Sequence, residues 1–209
     1  MKKNFLLLGL LLTSSQFALA QRGGGGGGER ARPQIPDVDD ETMILDIPDK
    51  WYPYSRRTDT MVDTYVFPTG QEPADWDETL RQEVFLSTTG ITSARQVYEL
   101  RAENNRGRCE RYEAETLDDH QENGYPMFYW RQVCDISEQT IASLNKVILG
   151  NDQLYILSKI WKYEPREREW TRWEEYVEGV YVCDPARLEH RCWPVWPAGA
   201  PAGMGGRGR

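Results

Sequence analysis

Two histidines, His120 and His190, are the only imidazoles in the chain, so a mechanism based on a histidine general base would depend on one of them. His120 lies in the polar stretch 118–124, which is typical of a solvated turn, and His190 lies between two cysteines. No Gly-x-Ser-x-Gly motif supplies a serine nucleophile for either of them. The pattern therefore favours surface histidines over a Ser-His-Asp catalytic set.

Carboxylates are too numerous to single out a catalytic pair. The 33 acidic residues offer many pairs of the kind that hydrolyses sugars, so a secreted hydrolase that uses unassigned carboxylates remains an alternative. Asp118, Asp119 and Glu122 lack the ligand spacing and central glycine of an EF-hand calcium loop. The glycine run 23–28 is not followed by Lys-Ser/Thr and is no phosphate loop. We assign no catalytic residue, no metal and no cofactor.

The four cysteines are Cys109, Cys134, Cys183 and Cys192. They form no Cys-x-x-Cys pair, which argues against a zinc site and a redox-active pair. An even set of this kind is typical of disulfides in an oxidising compartment. Two strands folded about the turn 118–124 would place Cys109 opposite Cys134, and Cys183 and Cys192 bracket a short loop. We predict these two disulfides, although four cysteines allow three pairings.

The N-terminus has the pattern of a signal peptide. Lys2 and Lys3 are followed by the apolar run Phe5–Leu12 and by Ala18-Leu19-Ala20, a small-x-small cleavage pattern. The apolar run is shorter than a membrane span requires. We predict cleavage after Ala20 and a periplasmic or secreted protein without a membrane span; a retained N-terminal anchor is the alternative.

The rest of the chain divides into a linker, one domain and a tail. Residues 21–41 are rich in glycine and proline and are expected to be disordered. Residues 42–192 form a single domain, and residues 193–209 form a second Gly/Pro-rich tail. Trp193 and Trp196 lie in this tail, where they would either fold back onto the domain or anchor a partner.

The domain is predicted to have an α+β fold, in which an antiparallel sheet is flanked by about three helices, mainly on one face. The predicted strands are Thr60–Phe67, Cys109–Thr116, Met127–Cys134, Leu144–Leu149, Gln153–Trp161 and Val180–Cys183, and the predicted helices are Asp75–Leu80, Thr92–Asn104 and Arg168–Glu178. The tryptophans and tyrosines at amphipathic positions of these elements are expected in the core.

The order of several short motifs resembles exported bacterial domains of the Mog1/PsbP-like type. These motifs are Gly70-Gln71, the segment Pro73–Glu78, the hairpin with paired cysteines, and Ile148–Tyr155 with its Gly-x-Asp turn. The resemblance covers about residues 60–183 and implies a sheet flanked by helices, with a binding or assembly role. Some exported proteins of this kind are accessories of envelope complexes, including secretion machines. The resemblance assigns no residue a role, and the glycine-rich tails depart from its compact pattern.

The acidic composition bears on the partner. The formal charge is −8, and loss of Lys2 and Lys3 with the leader makes it −10. Such a chain repels phosphate backbones, which argues against nucleic acid as a partner. We therefore predict a non-enzymatic binding or assembly protein that interacts with an envelope or secreted protein. The alternatives are the hydrolase and a small-ligand carrier with an aromatic pocket.

Overall fold

The computed structural model of the chain describes residues 41–187, 190 and 192, all in one compact unit. The predicted leader, linker and C-terminal tail, with Trp193 and Trp196, lie outside these residues. The elements are β1 (Thr42–Ile44), β2 (Trp51–Arg57), β3 (Met61–Pro68), β4 (Glu78–Phe85), α1 (Ala94–Arg106), β5 (Arg111–Glu122), β6 (Tyr125–Ile136), β7 (Gln139–Leu149), β8 (Leu154–Trp161), α2 (Glu167–Glu178) and β9 (Tyr181–Cys183).

Seven of these strands form one antiparallel sheet in the order β2-β3-β4-β8-β7-β6-β5. β1 and β9 pair with each other as a separate two-stranded sheet. The predicted antiparallel sheet is confirmed, and so is the hairpin of β7 and β8, in which Leu149 pairs with Leu154. Its connection, Gly150-Asn-Asp, is the turn that the sequence indicates.

The prediction of three helices is wrong, because the described residues contain two. The expected helix at Asp75–Leu80 is a tight turn followed by β4. The side-chain oxygen of Gln71 accepts hydrogen bonds from the backbone N–H groups of Asp77 and Glu78, which are the donors that a helix start would have used locally. Pairing of β4 with both β3 and β8 then favours the extended conformation.

The helices lie on opposite faces of the sheet, not mainly on one face. Side chains alternate along β6, so that Phe128 and Trp130 pack against α1 while Met127 and Tyr129 belong to the core beneath α2. The α2 core is the larger of the two, and Trp161, Trp170 and Trp173 are buried there. Both faces of β7 and β8 are therefore buried, and the buried side chains include polar ones: Ser143, Asn145, Lys146, Ser158 and Lys159.

The β5–β6 hairpin turns later in the chain than the sequence indicates. β5 continues through the stretch 118–124 as far as Glu122, and Asn123 and Gly124 form the two-residue turn. Both have positive φ, 52° and 78°, as a type I′ turn requires. His120 consequently lies on an exposed strand, and its Nδ1 atom is 2.9 Å from the carboxylate of Asp118.

One of the two predicted disulfides is present. Cys109, just beyond the end of α1, is bonded to Cys134 on β6. Cys183 and Cys192 are free thiols that contact each other through a hydrogen bond. Burial raises the pKa of the Cys183 thiol to about 12. The structure therefore contains one bridge and one adjacent pair of thiols, and the second bridge stays a prediction.

Candidate functional site

The face of the sheet that carries α1 is only partly covered. α1 packs over β5, β6 and β7. In the described part of the chain, no helix packs over β2 and β3 on this face, and aromatic side chains are exposed there instead. Tyr54 is 53% exposed and Tyr52 is 36% exposed. We call this surface, formed by Tyr52, Tyr54 and Tyr65, the tyrosine edge.

Strand register explains why these aromatic residues lie together. Tyr52 and Tyr54 are two residues apart on β2 and therefore point to the same face. Their partners on β3 are Phe67 and Tyr65, which face the same way. The rings of Tyr65 and Phe67 stack with centroids 6.0 Å apart, and Tyr52 lies 6.3 Å from Phe67. Phe67 is buried beneath its neighbours, so the tyrosines rest on an ordered aromatic base.

A chain of ion pairs crosses the sheet from the tyrosine edge to α1. Its members are Arg56, Asp63, Arg81, Glu83 and Arg101. Asp63 lies between two guanidinium groups, at 2.8 Å from Arg56 and 2.9 Å from Arg81. Glu83 is 3.2 Å from Arg81 and 2.7 Å from Arg101 of α1. Because this series of ion pairs contains three arginines and two carboxylates, it carries one excess positive charge.

Asp63 is the most buried member of this ion-pair chain, with its side chain fully inaccessible. Burial by itself would raise the pKa of Asp63, but the hydrogen bonds donated by Arg81 and Arg56 outweigh it and hold the pKa below its ordinary value. The guanidinium of Arg81 also lies over the ring of Tyr65, at 5.1 Å from its centroid. The charged chain and the tyrosine edge are thus one continuous surface.

A polar cleft of about 200 Å³ opens where this surface meets α1. Its lining residues are Arg81, Arg101, Asn104, Asn105, Gln132, Ile141, Ser143, Asn145, Ser158 and Ile160. Ser143, Asn145 and Ser158 form its floor and are each at most 5% exposed. Asn145 donates to the hydroxyl of Ser143 at 2.9 Å and accepts from Ser158 at 2.8 Å. Polar floor residues at the centre of a sheet are costly to bury and suit a site that takes a polar group.

Gln132 supplies a hydrogen-bond donor to this polar cleft. Its Oε1 atom accepts from Nε1 of Trp130 at 3.0 Å and from the hydroxyl of Tyr112 at 3.1 Å. An indole N–H is only ever a donor, so the amide orientation of Gln132 is fixed. Its NH₂ group has no acceptor among the residues that the structure describes and can donate to a ligand. Together with Arg81 and Arg101, Gln132 gives the cleft an excess of N–H donors. The cleft is therefore suited to a carboxylate or carbonyl oxygen.

The cleft does not have the components of a nucleophilic active site. Its lining includes two serine hydroxyls but no histidine or cysteine within the ranges that the structure describes. In those same ranges, no three histidine, cysteine, aspartate or glutamate side chains are grouped to hold a metal ion. The polar side chains that line the cleft fix one another by hydrogen bonds.

The histidines and cysteines named in the sequence analysis have the following positions in the structure. His190 lies against Tyr125, and its Nδ1 atom accepts a hydrogen bond from the backbone of Asp184 at 3.0 Å. His120 lies on the exposed strand β5. Cys109 and Cys134 are joined, Cys183 and Cys192 are adjacent, and Trp193 and Trp196 lie outside the described residues.

Sequence reasoning did not find the polar cleft or the tyrosine edge. The available signal was small polar residues on two neighbouring strands, Ser143 and Asn145 at alternate positions of β7 and Ser158 on β8. Because the pattern of a strand does not say which of its faces a helix covers, this signal did not identify a cleft.

Comparisons with known proteins do not assign the chain to a family. No family model matches the sequence, and no curated protein matches it. Its structure is similar to the solution structure of cyanobacterial PsbP (CyanoP) from Synechocystis sp. PCC 6803, with 15% identity, a TM-score of 0.41, and coverage of 75% of this chain and 100% of that one. A protein from Bacteroides thetaiotaomicron matches with 12% identity, a TM-score of 0.40, and coverage of 72% of this chain and 50% of that one. At these TM-scores, neither similarity carries an argument about function.

None of the described helices is both long and apolar enough to cross a membrane.

Proposed function

We propose that the protein is exported and acts, without catalysis, as a binding protein for another protein of the cell envelope. The observation that carries this proposal is the continuous surface on the α1 face, made of the tyrosine edge, the chain of ion pairs and the polar cleft. Tyrosine and arginine are the residues most often found at the energetic centre of protein interfaces. The signal-peptide pattern before Ala20 supports export.

The chemistry of this surface specifies the partner segment. Exposed rings at Tyr52 and Tyr54 would pack against apolar side chains, since aromatic rings give large contact areas at low entropic cost. The donor-rich cleft beside them would accept a carboxylate, because Arg101 uses one guanidinium nitrogen for Glu83 and has further N–H groups available. The expected partner therefore presents an acidic side chain next to apolar ones.

The predicted tail and the second disulfide belong to the same proposal. Trp193 and Trp196 would add aromatic anchors to the bound partner, and removal of residues 193–209 is expected to weaken binding. In an oxidising compartment, the adjacent thiols of Cys183 and Cys192 would close into a bridge just before this tail. The bridge would fix the point from which the tail leaves the domain.

Site-specific photo-crosslinking in the native host tests the binding surface. A photoreactive amino acid at Tyr54 is expected to crosslink one reproducible partner, and the same group at Ile47, which is 46% exposed, is the control. The purified partner should then bind the wild-type domain. The Tyr54→Ala and Arg101→Gln variants should bind it at least tenfold more weakly, a loss of about 1.4 kcal/mol. Equal crosslinking from both positions, or equal affinity of all variants, would contradict the proposal.

A small-ligand carrier is the second candidate, and the donor-rich polar cleft favours it. A thermal-shift screen of small carboxylates separates the two functions. Stabilisation by one carboxylate that is lost in Arg101→Gln, with no partner crosslinked from Tyr54, would favour the carrier.

A further inference from the structure

A second cleft, of about 330 Å³, lies on the opposite face of the sheet beside α2. Its lining residues are Trp51, Glu78, Arg166, Arg168, Glu169, Arg172 and Trp173, and we call it the Trp–Arg cleft. Its volume is within the range of pockets that bind small molecules. The cleft shares no lining residue with the polar cleft, so a ligand bound in it would be independent of the proposed function.

The acidic residues of the Trp–Arg cleft already have partners. Glu78 lies 2.6 Å from the ammonium group of Lys159. Glu169 lies 3.1 Å from Arg166 and accepts a hydrogen bond from the hydroxyl of Tyr163 at 3.2 Å. Their charges are therefore compensated within the protein and do not repel an incoming anion strongly.

Arg168 and Arg172 are not compensated in this way. Both are exposed, they lie one helical turn apart on α2, and neither has a carboxylate within ion-pair distance among the residues that the structure describes. Like charges at this spacing destabilise a helix by a few tenths of a kcal/mol. Two uncompensated arginines on an acidic chain indicate a site that attracts an anion from solution.

The indole rings of Trp51 and Trp173 provide the apolar part of the cleft. Their centroids are 5.3 Å apart with the planes tilted by 59°. The buried ammonium of Lys159 lies 4.8 Å from one centroid and 4.5 Å from the other and packs against both rings. The rings therefore have a fixed arrangement before any ligand enters, which reduces the entropic cost of binding.

We propose that the Trp–Arg cleft binds a monosaccharide that carries a carboxylate or a phosphate group. The planar guanidinium groups of Arg168 and Arg172 match the oxygens of such a group. The C–H face of the sugar ring packs against the exposed part of Trp51. A neutral sugar has no anionic group for the two arginines, and inorganic phosphate has no ring to pack against Trp51.

Titration of the isotope-labelled protein, followed through the indole N–H resonances of its tryptophans, tests this proposal. The probes are glucuronate, glucose 6-phosphate, glucose and inorganic phosphate. Saturable shifts of the Trp51 and Trp173 resonances are expected with glucuronate or glucose 6-phosphate, and the stronger of the two identifies the anionic group. Glucose and inorganic phosphate are expected to bind at least tenfold more weakly.

Variants connect the binding to the two arginines. Arg168→Gln and Arg172→Gln should each weaken binding about tenfold, as loss of a charge-assisted hydrogen bond predicts. Arg95→Gln, an exposed position of α1 on the other face of the sheet that lines neither cleft, is the matched control and should change nothing. The proposal is overturned if no probe gives saturable shifts or if glucose binds as tightly as glucuronate. It is equally overturned if inorganic phosphate binds as tightly as the two charged sugars, or if the arginine variants bind normally.

Discussion

Lys159 and Glu78 form an ion pair, with 2.6 Å between Nζ and Oε2, beneath the rings of three tryptophans, Trp51, Trp161 and Trp173. The lysine side chain is fully inaccessible, whereas that of Glu78 is 27% exposed. Burial lowers the pKa of Lys159 to about 8, although the charge of Glu78 acts in the opposite direction. The free energy lost by removing the ammonium from water is therefore larger than the free energy gained from its attraction to Glu78.

Replacement of this lysine should not destabilise the protein. We expect the free energy of unfolding of Lys159→Met at pH 7 to be within about 1 kcal/mol of wild type, or higher, because an apolar side chain of similar length replaces a buried charge. Its partner Glu78 is 27% exposed, so water can solvate the carboxylate that the variant leaves without its lysine. Urea denaturation followed by tryptophan fluorescence measures this. A loss of several kcal/mol would show that the ion pair and its aromatic contacts are net stabilising.

The same lysine gives a pH signature. Between pH 8 and the ordinary lysine pKa of 10.5, the folded protein binds fewer protons at Lys159 than the unfolded chain does. Wild-type stability should therefore gain from Lys159 as the pH rises through this window, and Lys159→Met should lack that gain. Glu169 and Arg172 also act on this group and are unchanged in the variant, so the difference between the two proteins isolates Lys159.

Lys146 is also a buried lysine, but its replacement should be destabilising. Its ammonium donates to the backbone carbonyls of Val177, Glu178 and Val180 at 3.4, 3.2 and 2.5 Å, and lies 2.9 Å from Glu122. These carbonyls are at and beyond the end of α2, where the i→i−4 hydrogen bonds of the helix have ended; that of Val177 also accepts from the backbone N–H of Val180 at 3.1 Å. Burial lowers the pKa of Lys146 as well.

We expect Lys146→Met to lose about 2–4 kcal/mol of stability, because several buried carbonyl groups and Glu122 would each lose a donor. The measurement is urea denaturation at pH 7, with Lys159→Met as the matched control because both lysines are buried in neighbouring strands. If the two variants lose the same free energy of unfolding, the hydrogen bonds from Lys146 to the carbonyls at the end of α2 do not make this lysine more important for stability than Lys159.

These lysines show what the sequence does and does not determine. The β7–β8 hairpin was predictable, since its apolar strands and Gly-Asn-Asp turn are local features. The burial of Lys146 and Lys159 was not predictable from the same segment. It depends on α2, which lies later in the chain and covers the face toward which both side chains point. The polar cleft was missed for the same reason, because it exists only where α1 does not cover the sheet.

Local signals were also overridden by strand pairing. The pattern at Asp75–Glu78 is that of a helix start, but the segment leads into β4, which is paired on both sides. α1 and α2 were predictable because each has an apolar stripe along one side, and Ser93 caps α1 by accepting from the N–H of Gln96. β2 was not predicted, since six of its seven residues are exposed and its alternation carries no core signal.

Asp63 gives a prediction about acid stability. We expect Asp63→Asn to cost about 2–3 kcal/mol at pH 7, because the buried carboxylate accepts charge-assisted hydrogen bonds from Arg56 and Arg81. Its pKa is lowered in the folded protein, so this contribution is complete above the ordinary pKa of 3.8 and is lost as the pH falls through the folded value.

Thermal unfolding of wild type and Asp63→Asn from pH 7 down to pH 2 measures this contribution. The stability difference should stay constant above about pH 5 and shrink below pH 4. Asp59→Asn, an exposed position in the turn before β3, is the control and should have little effect. A difference that persists unchanged at pH 2 would mean that the asparagine disturbs packing and not the ion-pair chain.

The Cys109–Cys134 disulfide ties the segment after α1 to β6, next to the polar cleft. It joins residues 25 apart in the sequence, and a loop of this length is expected to give about 3 kcal/mol of stability by restricting the unfolded chain. Cys109→Ser and Cys134→Ser should therefore destabilise the oxidised protein by similar amounts. Cys192→Ser, which leaves this bridge intact, is the control.

Urea denaturation of the three variants, with and without reductant, distinguishes the disulfide from side-chain packing. The two bridge variants are made in the Cys192→Ser background, which cannot form the predicted Cys183–Cys192 bridge. Reductant should bring Cys192→Ser close to these variants, because all three then lack the Cys109–Cys134 cross-link, and the variants themselves should respond little. If Cys134→Ser alone is strongly destabilised, and reductant leaves Cys192→Ser unaffected, then the buried position of Cys134 and not the bridge determines the loss. Strongly unequal effects of Cys109→Ser and Cys134→Ser would contradict the pairing itself.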